Sequence, residues 1–250
     1  MMCDSIISYC TIDSRFIREN ISQCLFFSKN IYITIASHLF NGTPENTDLI
    51  EDLYEYIQDT PNVHIIQFDW DPSKPPRYWH NYARWIGLQR CDTEYVMFLD
   101  SDEILDGRIL YKTFTEDVDF WKSYDEYVFS CYWYFRDVRY RAKSLEQCHK
   151  LVRRSILTED LIFSEDEMGA IPKSQRFKIL FDVQYNKVPF LHHFSWVRTK
   201  EEMINKTESW GHKNDKDWRS LIEEEFSRDF NGTDFVHGYE YDIVDPPFKI

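Results

Sequence analysis

Tyr95-Val96-Met97-Phe98-Leu99-Asp100-Ser101-Asp102-Glu103-Ile104 decides the fold, because an apolar strand here delivers two carboxylates, one residue apart, to its exposed end. Alternation along an extended backbone turns Asp100 and Asp102 to one side and Ser101 away, so both carboxylates face the same ion. Mg²⁺ and Mn²⁺ prefer such oxygen donors and complete their shells with substrate phosphates and water. Asp100 and Asp102 are therefore expected to be ligands of Mn²⁺ or Mg²⁺ that meets a phosphorylated substrate. Asp and Ser also make ordinary solvated turns, so the surrounding sequence has to decide.

Residues 81–95 read as a helix feeding into that strand, with Trp79, Tyr82, Ala83 and Ile86 at helical spacing. Nearer the N-terminus, residues 5–11, 31–37 and 63–68 read as strands, and 16–27 and 48–58 as helices, the second stopped by Thr60-Pro61-Asn62. Strands alternating with helices predict a largely parallel sheet with helical crossovers. The expected fold class is α/β, a mixed, mainly parallel sheet flanked by helices in a single domain. Ligands of such sheets gather outside the carboxyl ends of the strands. Thr11, Asp13, Arg15, Ser37 and His38 should thus border the same crevice as Asp100 and Ser101.

A length of 250 residues suits one large α/β domain with a continuous core. The net charge of -14 and pI near 5.0 argue against nucleic acid or an anionic membrane as partner, since both need a basic surface. Aromatic residues make up 17% of the chain, more than a core needs, which leaves rings for stacking in a sugar-handling cleft. The six cysteines include no Cys-x-x-Cys pair and read as reduced, mostly buried thiols. No apolar run approaches the roughly 18 residues that span a bilayer, and no signal peptide precedes the first strand. A cytoplasmic location follows as the expectation, with the sequons at Asn20, Asn41, Asn205 and Asn231 as chance matches. The seven glycines form neither Gly-x-Gly-x-x-Gly nor a Walker loop. A bound nucleoside diphosphate would then need a metal to neutralise much of its charge.

Ala83-Arg84, Gly87, Cys91, Phe98-Leu99-Asp100 and Asp102 fall in register with an Ala-Arg-Asn-x-Gly helix that runs into a Phe-Leu-Asp-x-Asp strand. In this the chain resembles the family 2 type of glycosyltransferase with the GT-A fold. Trp85 stands where that family usually has Asn, Thr93 where it often has Gly, and Ala36-Ser37-His38 does not match its Asp-Asp-Gly-Ser turn. The resemblance implies a metal-dependent glycosyltransferase moving a sugar from a UDP- or GDP-linked donor to a hydroxyl of a glycan or small-molecule acceptor, with inversion. It makes Thr11, Asp13, Arg15, Ser37, His38, Arg84, Asp100 and Ser101 candidates for holding the nucleotide sugar.

Downstream, residues 126–135 form a β-prone aromatic run, and 149–156 read as another strand. Between them the basic segment from Arg136 to Arg141 suits a hairpin tip or a grip on a phosphate or acidic acceptor. Ser164-Glu165-Asp166-Glu167 resembles the acidic motif that supplies the catalytic base in inverting GT-A enzymes, which points to Asp166 with Glu165 beside it and Asp137 in reserve. Such enzymes often complete the metal shell with a late histidine, and His193 of His192-His193-Phe194-Ser195-Trp196 fits that part. The His-x-Ser-Trp pattern also resembles the β-1,4-N-acetylglucosaminyltransferases that modify N-glycan cores. Thr199 and Glu202 have capping-box spacing ahead of an apolar stripe of Met203, Ile204, Thr207 and Trp210. A helix over 200–210 would carry Lys206, with His212 and Lys213 just past its end, toward a diphosphate.

The organisation expected is a domain over 1–225, with 1–105 as nucleotide-binding half and 106–225 as acceptor and metal-completing half. Residues 226–250 form a C-terminal extension that is a lid, a linker or a packed terminus. Two other readings remain open. A haloacid-dehalogenase-type phosphohydrolase also carries Asp-x-Asp after an apolar strand, though usually near the N-terminus, and a non-catalytic sugar-binding module would keep the fold without turnover.

Overall fold

β1 (Cys3–Ser8) is the strand around which the sheet is wound, since it pairs in parallel with a neighbour on each side. A 3-10 turn (Thr11–Asp13) leads into α1 (Ser14–Cys24), β2 (Ser28–Ala36), α2 (Thr47–Ile57) and β3 (Val63–Phe68), which extend the sheet one way. α3 (Pro76–Leu88) then brings the chain back to β4 (Tyr95–Asp100) on the other side of β1. Strand order reverses at β1, the place where open α/β sheets form their ligand crevice. Ser8 is level with both Thr34 and Asp100, so β1 and β4 end in one row and β2 runs two residues further, to Ala36. The computed structural model describes residues 3–116, 118–164, 177–180, 189–209, 211 and 213–250.

The second half comprises β5 (Glu103–Leu105), α4 (Gly107–Glu116), α5 (Val118–Lys122), β6 (Glu126–Phe135), β7 (Asp137–Arg153), α6 (Glu159–Ser164), β8 (Phe177–Leu180), β9 (Leu191–Trp196), α7 (Lys200–Ser209), α8 (Trp218–Glu225) and β10 (Tyr241–Ile243). The sheet runs β3-β2-β1-β4-β7-β6-β9-β5, with β10 added to β7 and β8 to β6. It is the mixed, mainly parallel sheet flanked by helices that the sequence predicts. β7 is longer than expected because the basic segment joins it. Arg136 turns the chain with φ 60°, and Asp137 already pairs back onto Phe135. The basic cluster is spent on local contacts: Arg136 pairs with Glu225, Arg139 with Asp137, and Arg141 lies over the Tyr132 ring.

β4 reads as an unbroken apolar run because both of its faces are covered. Tyr95, Met97 and Leu99 pack with Ile7, Ile33 and the α1 stripe of Ile17 and Ile21, while Val96 and Phe98 pack with Ile6, Leu88 and Leu161 on the α3 and α6 side. Each such side chain contributes roughly 1.5–3 kcal/mol by leaving water. Helix starts follow local chemistry. Asn46 accepts from the amides of Asp48 and Leu49 at 3.0 and 3.3 Å, and Pro76 opens α3. Thr199 and Glu202 form the reciprocal capping box read from the sequence, at 3.3 and 2.8 Å.

Residues 226–250 are packed against the sheet. β10 pairs with β7, Phe230 lies on Phe135 and Tyr140, and Phe248 meets His192 and Phe194. All six cysteines are unpaired. No helix among the described residues is long and apolar enough to cross a membrane.

The start of α4 touches α1 so closely that a Cβ on Gly107 would lie 1.9 Å from the Gln23 carbonyl oxygen. Gly107→Ala should therefore lower stability by about 1–3 kcal/mol, read as a reduced urea midpoint.

Candidate active site

The carboxyl ends of β1, β2 and β4 face the β6, β7 and β9 side of the sheet across a cavity of about 1060 Å³. Asp100, Ser101 and Asp102 all line it. The backbone leaves the strand at Asp100, and Ser101 and Asp102 form a turn before β5. The expectation of one extended backbone with both carboxylates on one side is corrected accordingly. Asp100 reaches toward α3, where His80 Nε2 and Arg84 Nη2 each lie 3.4 Å from Oδ1. Asp102 reaches toward β9 and α7, with Lys206 Nζ 3.1 Å from Oδ2, His193 Nε2 3.4 Å from Oδ1 and Arg198 Nη2 3.9 Å away.

These neighbours set the protonation of the two carboxylates. Burial works against ionisation of both carboxylates, but His80 and Arg84 hold Asp100 well below the usual carboxylate range, and Lys206 with His193 does the same for Asp102. In return, and against its own burial, the His193 imidazole is pushed up to about 9 by Asp102. The turn itself is pinned from below. The buried Asn20 amide donates to the carbonyls of Asp100, Ser101 and Glu103 at 3.1, 3.2 and 2.9 Å. Glu103 Oε2 accepts from the Asp100 amide at 2.8 Å and from Lys150 at 2.5 Å.

The residues proposed from the sequence separate into wall and support. Asp13, His38, Asp100, Ser101, Asp102 and His193 line the cavity. Thr11, Arg15, Ser37 and Arg84 stand outside the lining. Thr11 holds Glu45 through its amide and hydroxyl, Ser37 accepts from the Trp70 amide at 2.9 Å, and Arg15 pairs with Glu202. Asp13 is bound by Arg198, whose guanidinium also donates to the carbonyls of Ser195 at 2.8 Å and Ile12 at 3.0 Å. Asp137 lies away from the cavity beside Arg139. Glu165, Asp166 and His212 lie outside the described residues.

Several lining residues carry no motif. His80 sits on α3, one turn before Arg84; its i, i+4 spacing to Arg84 is the one signal that could have found it. Tyr9 and Ser8, at the end of β1, have hydroxyls that are buried without a partner among the described residues, as is the Trp133 indole Nε1. Buried polar atoms are ordinarily satisfied, and these three residues face a cavity in which a ligand would satisfy them. Glu45, Glu146 and His237 complete the wall from three separate loops and strands.

For metal binding, the chemistry of the donor set is informative. Among the described residues no three His, Cys, Asp or Glu side chains gather as a cage. Asp102 and His193 nevertheless present an oxygen and an imidazole nitrogen 3.4 Å apart, with Asp100 two residues away. With Asp100 turned toward α3 and His193 protonated, an ion here would meet the Asp102 carboxylate first and would take most of its ligands from phosphate and water.

No family model matches the sequence, and no curated protein does. Among solved structures, residues 1–349 of TarS from S. aureus align at 16% identity over 91% of this chain and 73% of that one, with a TM-score of 0.49; TarS is also known with UDP and with UDP-GlcNAc. The glycosyltransferase GlyE of Streptococcus pneumoniae aligns at 12% identity over 91% and 64%, with a TM-score of 0.41. HddC from Yersinia pseudotuberculosis aligns at 14% identity over 77% and 94%, with a TM-score of 0.40. The chemistry of the cavity, rather than these alignments, carries the functional conclusion.

Arg198 is almost wholly buried and ties Asp13 and Asp102 together. Arg198→Met should cost about 3–5 kcal/mol in chemical denaturation, because it strands a buried carboxylate. The neighbouring His192 behaves oppositely to His193. Burial, helped by Arg141, pushes its imidazole down to about 3, and it takes a 2.8 Å hydrogen bond with Tyr134. It is neutral when folded and titrates near 6.5 when unfolded, so its contribution to stability is full above pH 6.5 and falls as pH drops toward 3. At pH 5 the loss is about 2 kcal/mol, and His192→Gln should remove that part of the difference between urea curves at pH 7 and pH 5.

Proposed function

We propose that this protein is a glycosyltransferase that moves a sugar from a nucleotide-sugar donor to an acceptor hydroxyl. The observation that carries the reading is the Asp102 cluster on the cavity wall, where Lys206 and His193 bring positive charge to a place that three strand ends converge on. A diphosphate leaving group gains negative charge as its bond to the anomeric carbon breaks, and prepositioned cations in a partly dry site stabilise that charge. On one side of the cluster, Tyr9, His38 and Glu45 offer a phenol, an imidazole and a carboxylate for a nucleobase. Glu45 suits the ring N–H of uracil or guanine, which favours UDP- or GDP-linked donors. Ser8 and Ser101 lie between the two.

Mn²⁺ or Mg²⁺ would be held by Asp102, with His193 joining it on giving up the proton that Asp102 stabilises and Asp100 turning in from α3, and when bound it would act as a Lewis acid on the diphosphate. Lys206 orients the same charge from the protein side. Inversion at the anomeric carbon requires a base on the acceptor side, a role for which Asp166, with Glu165 beside it, stands on the sequence pattern. A cytoplasmic location suits the unpaired cysteines, and Asn20 is fully buried, so the folded chain offers no sequon there.

Calorimetry with UDP-, GDP-, CMP- and dTDP-sugars, beginning with UDP-GlcNAc, tests the reading in Mn²⁺, in Mg²⁺ and with chelator. The expected result is binding of one nucleotide class, weakened by the chelator. Absence of binding throughout, together with release of phosphate from a generic phosphate ester, would replace the transferase by a phosphohydrolase. Asp102→Asn should abolish metal-dependent turnover of the bound donor.

A further inference from the structure

Beside His193 the cavity wall includes Trp133, Glu146 and His237, which have no part in the donor reading. His193 meets the Trp133 ring edge to face at 4.5 Å, Trp133 meets His237 in the same manner at 4.5 Å, and His237 stacks on Tyr239 at 4.9 Å. The row closes on Glu146, whose Oε1 accepts from the Tyr239 hydroxyl at 3.1 Å. Trp133, Glu146, His193 and His237 all line the cavity. Trp133 is only 6% exposed, and its Nε1–H has no partner among the described residues.

The loop that brings His237 and Tyr239 here is built around one buried carboxylate. Asp234 accepts from the amides of Val236, His237, Gly238 and Tyr239 at 2.7, 2.6, 3.3 and 3.1 Å, and from the Tyr241 hydroxyl at 2.9 Å. Such a network fixes the loop in one shape, which is how a binding surface differs from a mobile tip. Tyr239 stays protonated, its phenol pushed up to about 12 by burial and by Glu146, so it donates to Oε1 and orients the carboxylate of a residue that lines the cavity.

We infer that Trp133, His237 and Glu146 form a subsite for a neutral sugar ring, with Glu146 accepting from its hydroxyls and the Trp133 indole donating to it. Aromatic rings cover the apolar C–H face of a sugar, and a carboxylate accepts from adjacent hydroxyls. An anionic ligand is disfavoured by Glu146. A cationic one is disfavoured by the indole N–H, which needs an acceptor. In the transferase reading, on which its role but not its existence rests, this subsite holds the acceptor glycan. It lies on the β6, β7 and β9 side of the Asp102 cluster, opposite the nucleobase end.

The test is binding of methyl β-glucopyranoside, methyl β-galactopyranoside and methyl N-acetyl-β-glucosaminide, followed by saturation-transfer NMR on the full chain with and without UDP. Glu146→Gln and Tyr239→Phe are compared with the unaltered protein, and thermal melts and nucleotide affinity confirm that each variant is folded. The expected result is binding of at least one glycoside, with Kd raised about tenfold or more in Glu146→Gln and less in Tyr239→Phe, while nucleotide affinity is unchanged. No glycoside binding, or binding indifferent to both substitutions, overturns the subsite even if a nucleotide sugar is turned over. Glycoside binding that depends on Glu146 without any nucleotide binding keeps the subsite and removes the transferase. Preference for tetramethylammonium over every glycoside would instead mark a cation cage and also overturn it.

Discussion

Everything around the cavity depends on a carboxylate that is buried and charged. Asp102 is 4% exposed, and an ion of that kind costs several kcal/mol to remove from water unless opposite charge meets it in good geometry. The compensation comes from His193, Arg198 and Lys206, all contributed by β9, α7 and the link between them. The turn after β4 can be stable only when that later segment is docked on it. One electrostatic requirement thus joins the parallel half of the sheet to the mixed half and creates the cavity between them. The cations that meet Asp102 also lie where an incoming anion would share them.

The backbone around this charge is held as firmly as the charge itself. Asn20 supplies one amide group to three carbonyls of the turn, and Arg198 spans from the 3-10 turn after β1 to the end of β9. Glu103 and Lys150 form a second buried pair directly behind Asp100, so the amide of that residue has a fixed partner. These contacts place the Asp100 and Asp102 carboxylates on a rigid frame, in which a small displacement would cost hydrogen bonds rather than merely torsion.

Much of the frame was legible because it is written locally. Val63–Phe68 and Glu126–Phe135 are strands over the residues that their apolar and aromatic content indicates, and the Thr199 and Glu202 box starts a helix as its spacing requires. Asp100 and Asp102 announced themselves by position after an apolar strand. What stayed hidden is non-local. Glu146 lies in a polar stretch with no strand signal of its own and is strand through its pairing with β6, where it sits opposite Cys131. Trp133 looks like any ring in an aromatic strand until its register opposite His193 places it at the cavity. Thr11 and Ser37 have the right residue types at strand ends, and Arg84 lies on the helix before β4, but each stands behind the cavity wall and holds a neighbour, Glu45, Trp70 and Asp100 respectively. Asn20 is buried, in keeping with a chance sequon, and its part as the clamp beneath the turn has no local signal because the carbonyls it donates to lie some 80 residues away.

The distance in sequence between Asp102 and its partners has a consequence for the nascent chain. A ribosome delivers β1 to β4 long before residues 193–206, at about 5–20 residues per second. During that interval the turn carries a carboxylate with none of its three cationic neighbours yet made, and the loop centred on Asp234 is later still. The early strands can assemble their apolar faces, but the pocket they border lacks its far wall until β6, β7, β9 and the Asp234 loop have been made. Closure of the cavity thereby waits on residues 193–237, and a product truncated before them would possess the first half of the cavity without its far wall.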